Sequence, residues 1–362
     1  MDWVLLSIMS GIVSWIVALL VCRHAARLRL VLEPNHRSSH VQPTPSGGGL
    51  GIAVAGSLVG LGLDFFSGWE FGWFVVALAI VLAAVSLWDD VQHIPARVRF
   101  GVQVAVCAGL LLLLGDLSGI FFSRGNAAEG LDFQLFGWIV SALLLLAGVW
   151  WINLFNFMDG LDGIAGSQAV FMLAAGAGLA VWNQPFLVTD PAWVWAVCIA
   201  AATLGFLPLN WPPAKIFMGD VGSTYLAFMI FVVALISLHA GWFGSPLAGF
   251  ATWLTLGAVF VVDATVTLLV RMASGERWYE AHRTHVYQKL ARRWGGHRPV
   301  TFLAVTLNVF WVGPLALACV LWPQWGLIWV ALVYVPLVIG AVMLGAGRAD
   351  EMQPMVQTDQ SA

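Results

Sequence analysis

Three segments of the chain bring carboxylates and amides together at spacings suited to holding a cation or a phosphate. The pair Asp89–Asp90 stands in SLWDDVQHIP. Adjacent helical residues point about 100° apart, so one carboxylate could face a metal or substrate while the other braces a neighbouring loop; a solvated helix end would suit the pair equally well. In NLFNFMDGLDG, residues 153–163, the residues Asn153, Asn156, Asp159 and Asp162 recur at every third position. On a helix that spacing makes a slowly rotating polar stripe, and Gly160 and Gly163 would loosen the chain enough for backbone to approach a ligand. In KIFMGDVGS, residues 215–223, Asp220 lies between Gly219 and Gly222 with Lys215 upstream. A carboxylate in open backbone suits Mg²⁺, which takes few protein ligands and keeps positions for water and substrate phosphates. A helix N-terminus beside it would favour a phosphate, and Asp220 would be equally comfortable as an N-cap.

Two further segments offer the complementary charge. Residues 271–299 hold seven Lys or Arg and three His, with Arg283 between His282 and His285. No Cys supports the His pair as a zinc site, and guanidinium with imidazolium matches phosphate oxygens better; basic residues also fix topology and touch anionic lipid. In PNHRSSHVQPTPSGGG, residues 34–49, Arg37, Ser39 and His40 could donate to phosphate, while Gly47, Gly48 and Gly49 suit either a shaped turn or close helix packing.

The elements that must position these groups are membrane helices. Sixty per cent of the 362 residues are hydrophobic, 10% are charged and the mean hydropathy is +0.87. A soluble domain of this length could not bury so much apolar surface. A bilayer core about 30 Å thick needs roughly 20 apolar residues per helix. On that criterion the chain divides into eleven spans, at 3–22, 48–66, 71–88, 100–114, 135–153, 164–182, 192–211, 222–239, 247–270, 300–321 and 326–344. The first has no basic stretch before it and no small-residue cleavage pattern after it, so it reads as a retained span. The expected architecture is an all-α polytopic bundle of one integral membrane domain, residues 1–347, followed by a disordered tail, 348–362.

Cytoplasmic loops attract Lys and Arg. With a periplasmic N-terminus and a cytoplasmic C-terminus, fifteen of the sixteen basic residues fall on the cytoplasmic side and only Arg124 does not. All five polar constellations then fall on that same face, although the carboxylates took no part in setting the topology. The four cysteines are far apart in apolar stretches and read as packing residues.

The ordered set DD, N-x-x-N-x-x-D-G-x-D-G, F-M-G-D-x-G-S and a His-containing last large loop resembles the polyprenyl-phosphate N-acetylhexosamine-1-phosphate transferases. The resemblance spans roughly residues 34–293. It implies transfer of an N-acetylated hexosamine-1-phosphate from a UDP-sugar to undecaprenyl phosphate at the cytoplasmic face of a bacterial inner membrane, with release of UMP. It implies Asp220 as the ligand of Mg²⁺, or of Mn²⁺ in its place, and Asp89 and Asp90 as the acidic pair at the lipid phosphate and metal. Asn156, Asp159 and Asp162 then match the nucleotide-sugar region, with Asn153 beside them. His282, Arg283 and His285 match the loop over the phosphates. The partners so implied are a UDP-N-acetylhexosamine, undecaprenyl phosphate and membrane lipid, with no nucleic acid and with a homodimer left open. The last loop is poorer in His than the family pattern, and Ser46 stands where relatives often carry Arg, so the donor sugar stays open. Asp263, within the ninth span, is expected to be bonded across helices. Two alternatives stand beside this reading: the phospho-MurNAc-pentapeptide transferase branch, and a secondary transporter. The transporter predicts mid-membrane charges and an inverted repeat, and the spans offer only Asp263.

Overall fold

The computed structural model describes residues 2–33, 43–69, 71–92, 94–115, 131–276 and 282–348. Arg37, Ser39, His40 and the tail from 349 onward lie outside the described residues. Fourteen α-helices carry the described chain. They are α1 (Trp3–Leu28), α2 (Leu50–Ser67), α3 (Gly72–Gln92), α4 (Ala96–Leu114), α5 (Leu131–Met158), α6 (Ile164–Asn183), α7 (Pro191–Asn210), α8 (Asp220–His239), α9 (Pro246–Leu256), α10 (Ala258–Ala273), α11 (Val286–Arg293), α12 (His297–Leu307), α13 (Gly313–Leu321) and α14 (Gly326–Met343). Ten stretches are long and apolar enough to cross a membrane unbroken, α12 and α13 together forming one of them. The eleventh exists only as the pair α9 and α10, bent by 69°. The protein is a multi-pass membrane protein with an all-α architecture.

The expected straight ninth span at 247–270 is thus corrected to two helices. The break falls at Gly257, whose N–H still reaches Trp253 O, and the ladder resumes with Val261 N–H on Gly257 O. Hydropathy alone cannot see such a break, because both halves are apolar. The expected short fourth span is a full helix beginning at Ala96, and the fifth runs on to Met158, so Asn153 and Asn156 are helical.

Large apolar side chains such as Phe65, Leu112, Phe310 and Met343 stand at least three-quarters exposed around the outside, which only a hydrocarbon solvent tolerates at this density. The interior is organised on α8, where only Asp220, Ala234, Ile236 and His239 escape full burial. It packs against α2, α3, α5, α6, α7 and α9. Indole N–H groups tie neighbours together: Trp195 donates to Gly56 O at 2.7 Å and Trp151 to Ala227 O at 2.9 Å.

Between α1 and α2 a short antiparallel pair, β1 (Val31–Leu32) and β2 (Thr44–Pro45), leads into the glycine run. That run lies alongside the loop before α8. Phe217 N–H donates to Pro45 O (2.8 Å), Gly48 N–H to Phe217 O (2.9 Å) and Gly49 N–H to Met218 O (2.9 Å). Both roles open to these glycines are seen: Gly47 turns the chain at φ +79°, and a Cβ on Gly49 would stand 2.2 Å from Gly222 Cα. The starts of α2 and α8 therefore touch backbone to backbone.

That contact predicts that Gly49→Ala lowers thermal stability in detergent by roughly 1–3 kcal/mol, the usual cost of forcing atoms into a packed contact. Gly62→Ala in the same helix, where a Cβ meets nothing, is expected to be neutral or slightly stabilising. Equal melting temperatures for the Gly49→Ala and Gly62→Ala proteins would remove the contact from the packing account.

Candidate active site

The ends of α3, α5 and α7, the starts of α6, α8 and α12, and one face of α11 enclose a cavity of about 680 Å³. Its lining includes Asp90, Asn156, Asp159, Asp162, Asp220 and Arg283, all singled out by the sequence, together with Ser46, Asn210, Gln288, Arg292 and His297, which were not assigned site roles. Chain segments some 200 residues apart in sequence thus share one end of the bundle.

Asp90 and Asp220 are joined through backbone. Gly219 enters α8 at φ +75° with no capping side chain of its own. The missing cap comes from α3: Asp90 accepts from Asp220 N–H at 3.2 Å and from Val221 N–H at 3.4 Å. The carboxylate thereby meets the positive end of the most buried helix and fixes where Asp220 stands. Asp89 turns the other way, buried, accepting from Ile94 N–H at 2.8 Å and pairing with Arg99 at 2.5 Å. Arg99 also reaches the Asp220 carboxylate at 3.6 Å. The adjacent pair does split its duties, with Asp89 bracing the α3–α4 turn and Asp90 at the cavity.

Asn156 accepts a hydrogen bond from Ser223 Oγ at 2.7 Å, linking α5 to α8 across the cavity floor. Asp159 follows in the turn after α5. Burial first, and then the nearby carboxylates of Asp220, Asp90 and Asp162, hold its carboxyl well above the ordinary range. Asp162 is already committed: it accepts from Ala214 N–H at 3.0 Å and lies 3.0 Å from His297 Nδ1. The glycines here do not loosen the chain. Gly163 supplies a left-handed φ of +73°, and a Cβ on Gly160 would stand 2.2 Å from Tyr287 Oη, which donates to Phe157 O.

Five expected site residues stand outside the lining, Asp89 among them. Asn153 faces α4 and pairs with Gln103 (2.7 Å), and Lys215 is exposed on the far side of its loop. His285 is buried against Asp263, 3.2 Å from its carboxylate, and stacks on His282 with ring centres 4.9 Å apart. Burial first, then His285 and Arg271, push the His282 imidazole down to about 4. Asp263 is bonded across helices as expected. It takes Val286 N–H (3.0 Å) and Tyr287 N–H (2.9 Å), capping α11 as Asp90 caps α8. Arg283 and Arg292 are thereby set on the cavity wall, the Arg292 guanidinium donating to Arg283 O at 3.0 Å. Burial and Arg292 lower the Arg283 guanidinium from its usual range.

Among the described residues no three His, Cys, Asp or Glu are grouped to enclose a metal ion. Mg²⁺ needs no such cage, since one or two carboxylates with water and ligand phosphate complete its shell. The crowding of Asp90, Asp159 and Asp220 is the feature that fits a cation, because an inserted positive charge relieves their mutual repulsion. Arg283 and Arg292 line the same cavity. Such a cavity can hold a polyanion with its counter-cation and stabilise charge passing between phosphates.

Comparison with known proteins agrees with this arrangement. Residues 72–238 match the model of glycosyl transferase family 4. A decaprenyl-phosphate N-acetylglucosaminephosphotransferase of Mycolicibacterium smegmatis is 31% identical over 312 residues, covering 81% of this chain and 75% of that protein. A probable undecaprenyl-phosphate N-acetylglucosaminyl 1-phosphate transferase of Bacillus subtilis is 28% identical over 291 residues, 80% of this chain and 78% of that one. A phospho-N-acetylmuramoyl-pentapeptide-transferase of Lactococcus lactis is 29% identical over 239 residues, 64% of this chain and 67% of that one. With the carboxylates of the matched segment gathered at one cavity and similarity running through most of the chain, this protein belongs to glycosyl transferase family 4.

Proposed function

We propose that the protein transfers an N-acetylated hexosamine-1-phosphate from a UDP-sugar to undecaprenyl phosphate, releasing UMP and starting a lipid-linked glycan. The observation that carries this reading is one cavity lined by Asp90, Asp159 and Asp220 together with Arg283 and Arg292 at the end of a membrane bundle. A nucleotide diphosphate and a lipid phosphate are both polyanions, and both charge signs are wanted to hold them together. Similarity to the N-acetylglucosaminyl 1-phosphate transferases runs at 28% and 31% identity over 80% and 81% of the chain, against 29% over 64% and 25% over 79% for two phospho-MurNAc relatives, which favours the former. The bias of Lys and Arg supports a cytoplasmic cavity in a bacterial inner membrane, with the N-terminus periplasmic.

In this reading an oxygen of the lipid phosphate attacks the β-phosphorus, the bond from that phosphorus to the bridging oxygen breaks, and UMP leaves with the electron pair. A phosphate monoester is largely dianionic near neutral pH, so no strong base is required. Asp220 would hold Mg²⁺, with Asp90 fixing its position, and the ion when bound would neutralise the diphosphate. Arg283 and Arg292 bind the phosphates and stabilise charge on the departing UMP. Asn156 orients the floor through Ser223, and Arg99 holds Asp89 and Asp220 in register.

Purified protein in detergent, given UDP-N-acetylhexosamines and undecaprenyl phosphate, is expected to release UMP only when Mg²⁺ or Mn²⁺ is present. Asp220→Ala is expected to lower that rate by at least about a hundredfold. Release without metal, or an alanine variant near wild type, would contradict the site. A second expectation concerns charge. The Asp159 carboxyl lies well above its unfolded value, so its ionisation costs the folded state more as pH rises through the folded pKa. In metal-free buffer Asp159→Asn should therefore raise the melting temperature at pH 8 and change it less at pH 5. Mg²⁺ should shrink the pH 8 difference. A destabilised Asn variant at pH 8 would show that Asp159 is not crowded by like charge.

A further inference from the structure

His297 opens α12 and lines the cavity, although the sequence offered it only as one basic-loop residue among many. Its Nδ1 lies 3.0 Å from Asp162 Oδ1, and both side chains are largely buried, at 16% and 11% exposure. The carboxylate is itself held. Asp162 Oδ2 accepts from Ala214 N–H at 3.0 Å, Asp162 O accepts from Thr301 Oγ1 at 2.9 Å, and the next N–H, of Gly163, donates to Asn210 Oδ1 at 3.0 Å. So the turn after α5, the loop before α8 and the start of α12 meet at one carboxylate. Asp162 N–H also points at His297 Nδ1, but at 3.4 Å, and the shorter contact to a carboxylate oxygen makes Nδ1 the protonated nitrogen. Nε2 is then the ring atom left for a ligand. A carboxylate that fixes the tautomer and orientation of an imidazole is a common way of presenting the other nitrogen to a substrate.

An Nε2 lone pair selects among the groups a nucleotide sugar carries. A fully ionised phosphate has no proton to give it. Sugar hydroxyls, and the imide N–H of uracil, do. We propose that His297 is a donor-binding residue of this cavity, its Nε2 accepting a hydrogen bond from an uncharged O–H or N–H of the nucleotide sugar, with Asp162 as the residue that positions it. The inference rests on the function proposed above and adds a contact at the start of α12, on a different element from the Asp90–Asp220 pair. It also gives Asp162 a role distinct from that of Asp159: one carboxylate positions a ring, the other stands in the crowded acidic group.

Two isosteric substitutions separate this from a purely structural brace. The amide of His297→Asn can keep the bond to Asp162 at the place of Nδ1 but has nothing at Nε2. The amide of His297→Gln reaches the place of Nε2 and loses the Nδ1 position. Both proteins, purified to a single species in detergent, are titrated calorimetrically with UDP-N-acetylglucosamine and with UMP, and assayed for UMP release at varied donor and varied undecaprenyl phosphate. The expected result is about fivefold to tenfold weaker donor binding for His297→Asn, the size of one uncharged hydrogen bond, with the KM for undecaprenyl phosphate within twofold of wild type. His297→Gln is expected to lose less. Weakening of UMP as well assigns the contact to the base or ribose; weakening of the nucleotide sugar alone assigns it to the sugar. A His297→Asn protein that binds both like wild type, or one no weaker than His297→Gln, overturns the proposal. Wild-type protein that binds both nucleotides yet transfers nothing would sink the reaction while leaving this contact to be decided by the titrations.

Discussion

The cavity depends on carboxylates that cap backbone belonging to other elements. Asp90 on α3 takes the first N–H groups of α8, Asp263 on α10 takes those of α11, and Asp162 after α5 takes Ala214 N–H from the loop between α7 and α8. At the edge of a bilayer each party needs the other. Helix-start N–H groups near hydrocarbon cannot rely on water, and a carboxylate there is costly unless it is bonded. Bonding across elements settles both demands and, as a consequence, fixes loops that hydrophobic packing alone would leave free to slide.

Position in space follows from those bonds. Asp220 stands where Asp90 sets the first turn of α8, and the Gly49–Gly222 contact prevents that turn from moving outward. Asp263 anchors the start of α11, Arg292 near its end donates to Arg283 O before it, and Tyr287 locks α11 to the end of α5 through Phe157 O. The result is a cavity lined by both carboxylates and guanidinium groups. In the proposed reaction that mixed lining lets a cation and two phosphates sit together.

Much of this could be read from residue order, and what could not has a physical cause. The eleven apolar stretches and the gathering of DD, NLFNFMDGLDG and FMGDVGS at one end follow from hydropathy and alternation of spans. The bend at Gly257 does not, since an apolar helix reads the same straight or broken. Asn153 and Lys215 were expected at the site because they are polar and near the motifs, yet helical phase turns Asn153 toward Gln103 and Lys215 is exposed outside the lining. His282 and His285 were expected at phosphates from charge and from the family resemblance. His285 is instead buried against Asp263 at the start of α11, with the half-buried His282 stacked on it. His297 and Asn210 carried no spacing signal, because their partners lie 135 and 47 residues away along the chain. The glycine run was legible as either turn or packing, and it serves as both, Gly47 in the turn and Gly49 against α8.

The central claim is that phosphorus, and not the sugar alone, passes to the lipid. A donor labelled with ³²P at the β-position, incubated with the purified protein, Mg²⁺ and undecaprenyl phosphate, tests this directly. Label appearing in the organic phase in step with unlabelled UMP in the aqueous phase is the predicted result. Label remaining as UDP while the sugar enters the organic phase would contradict the account.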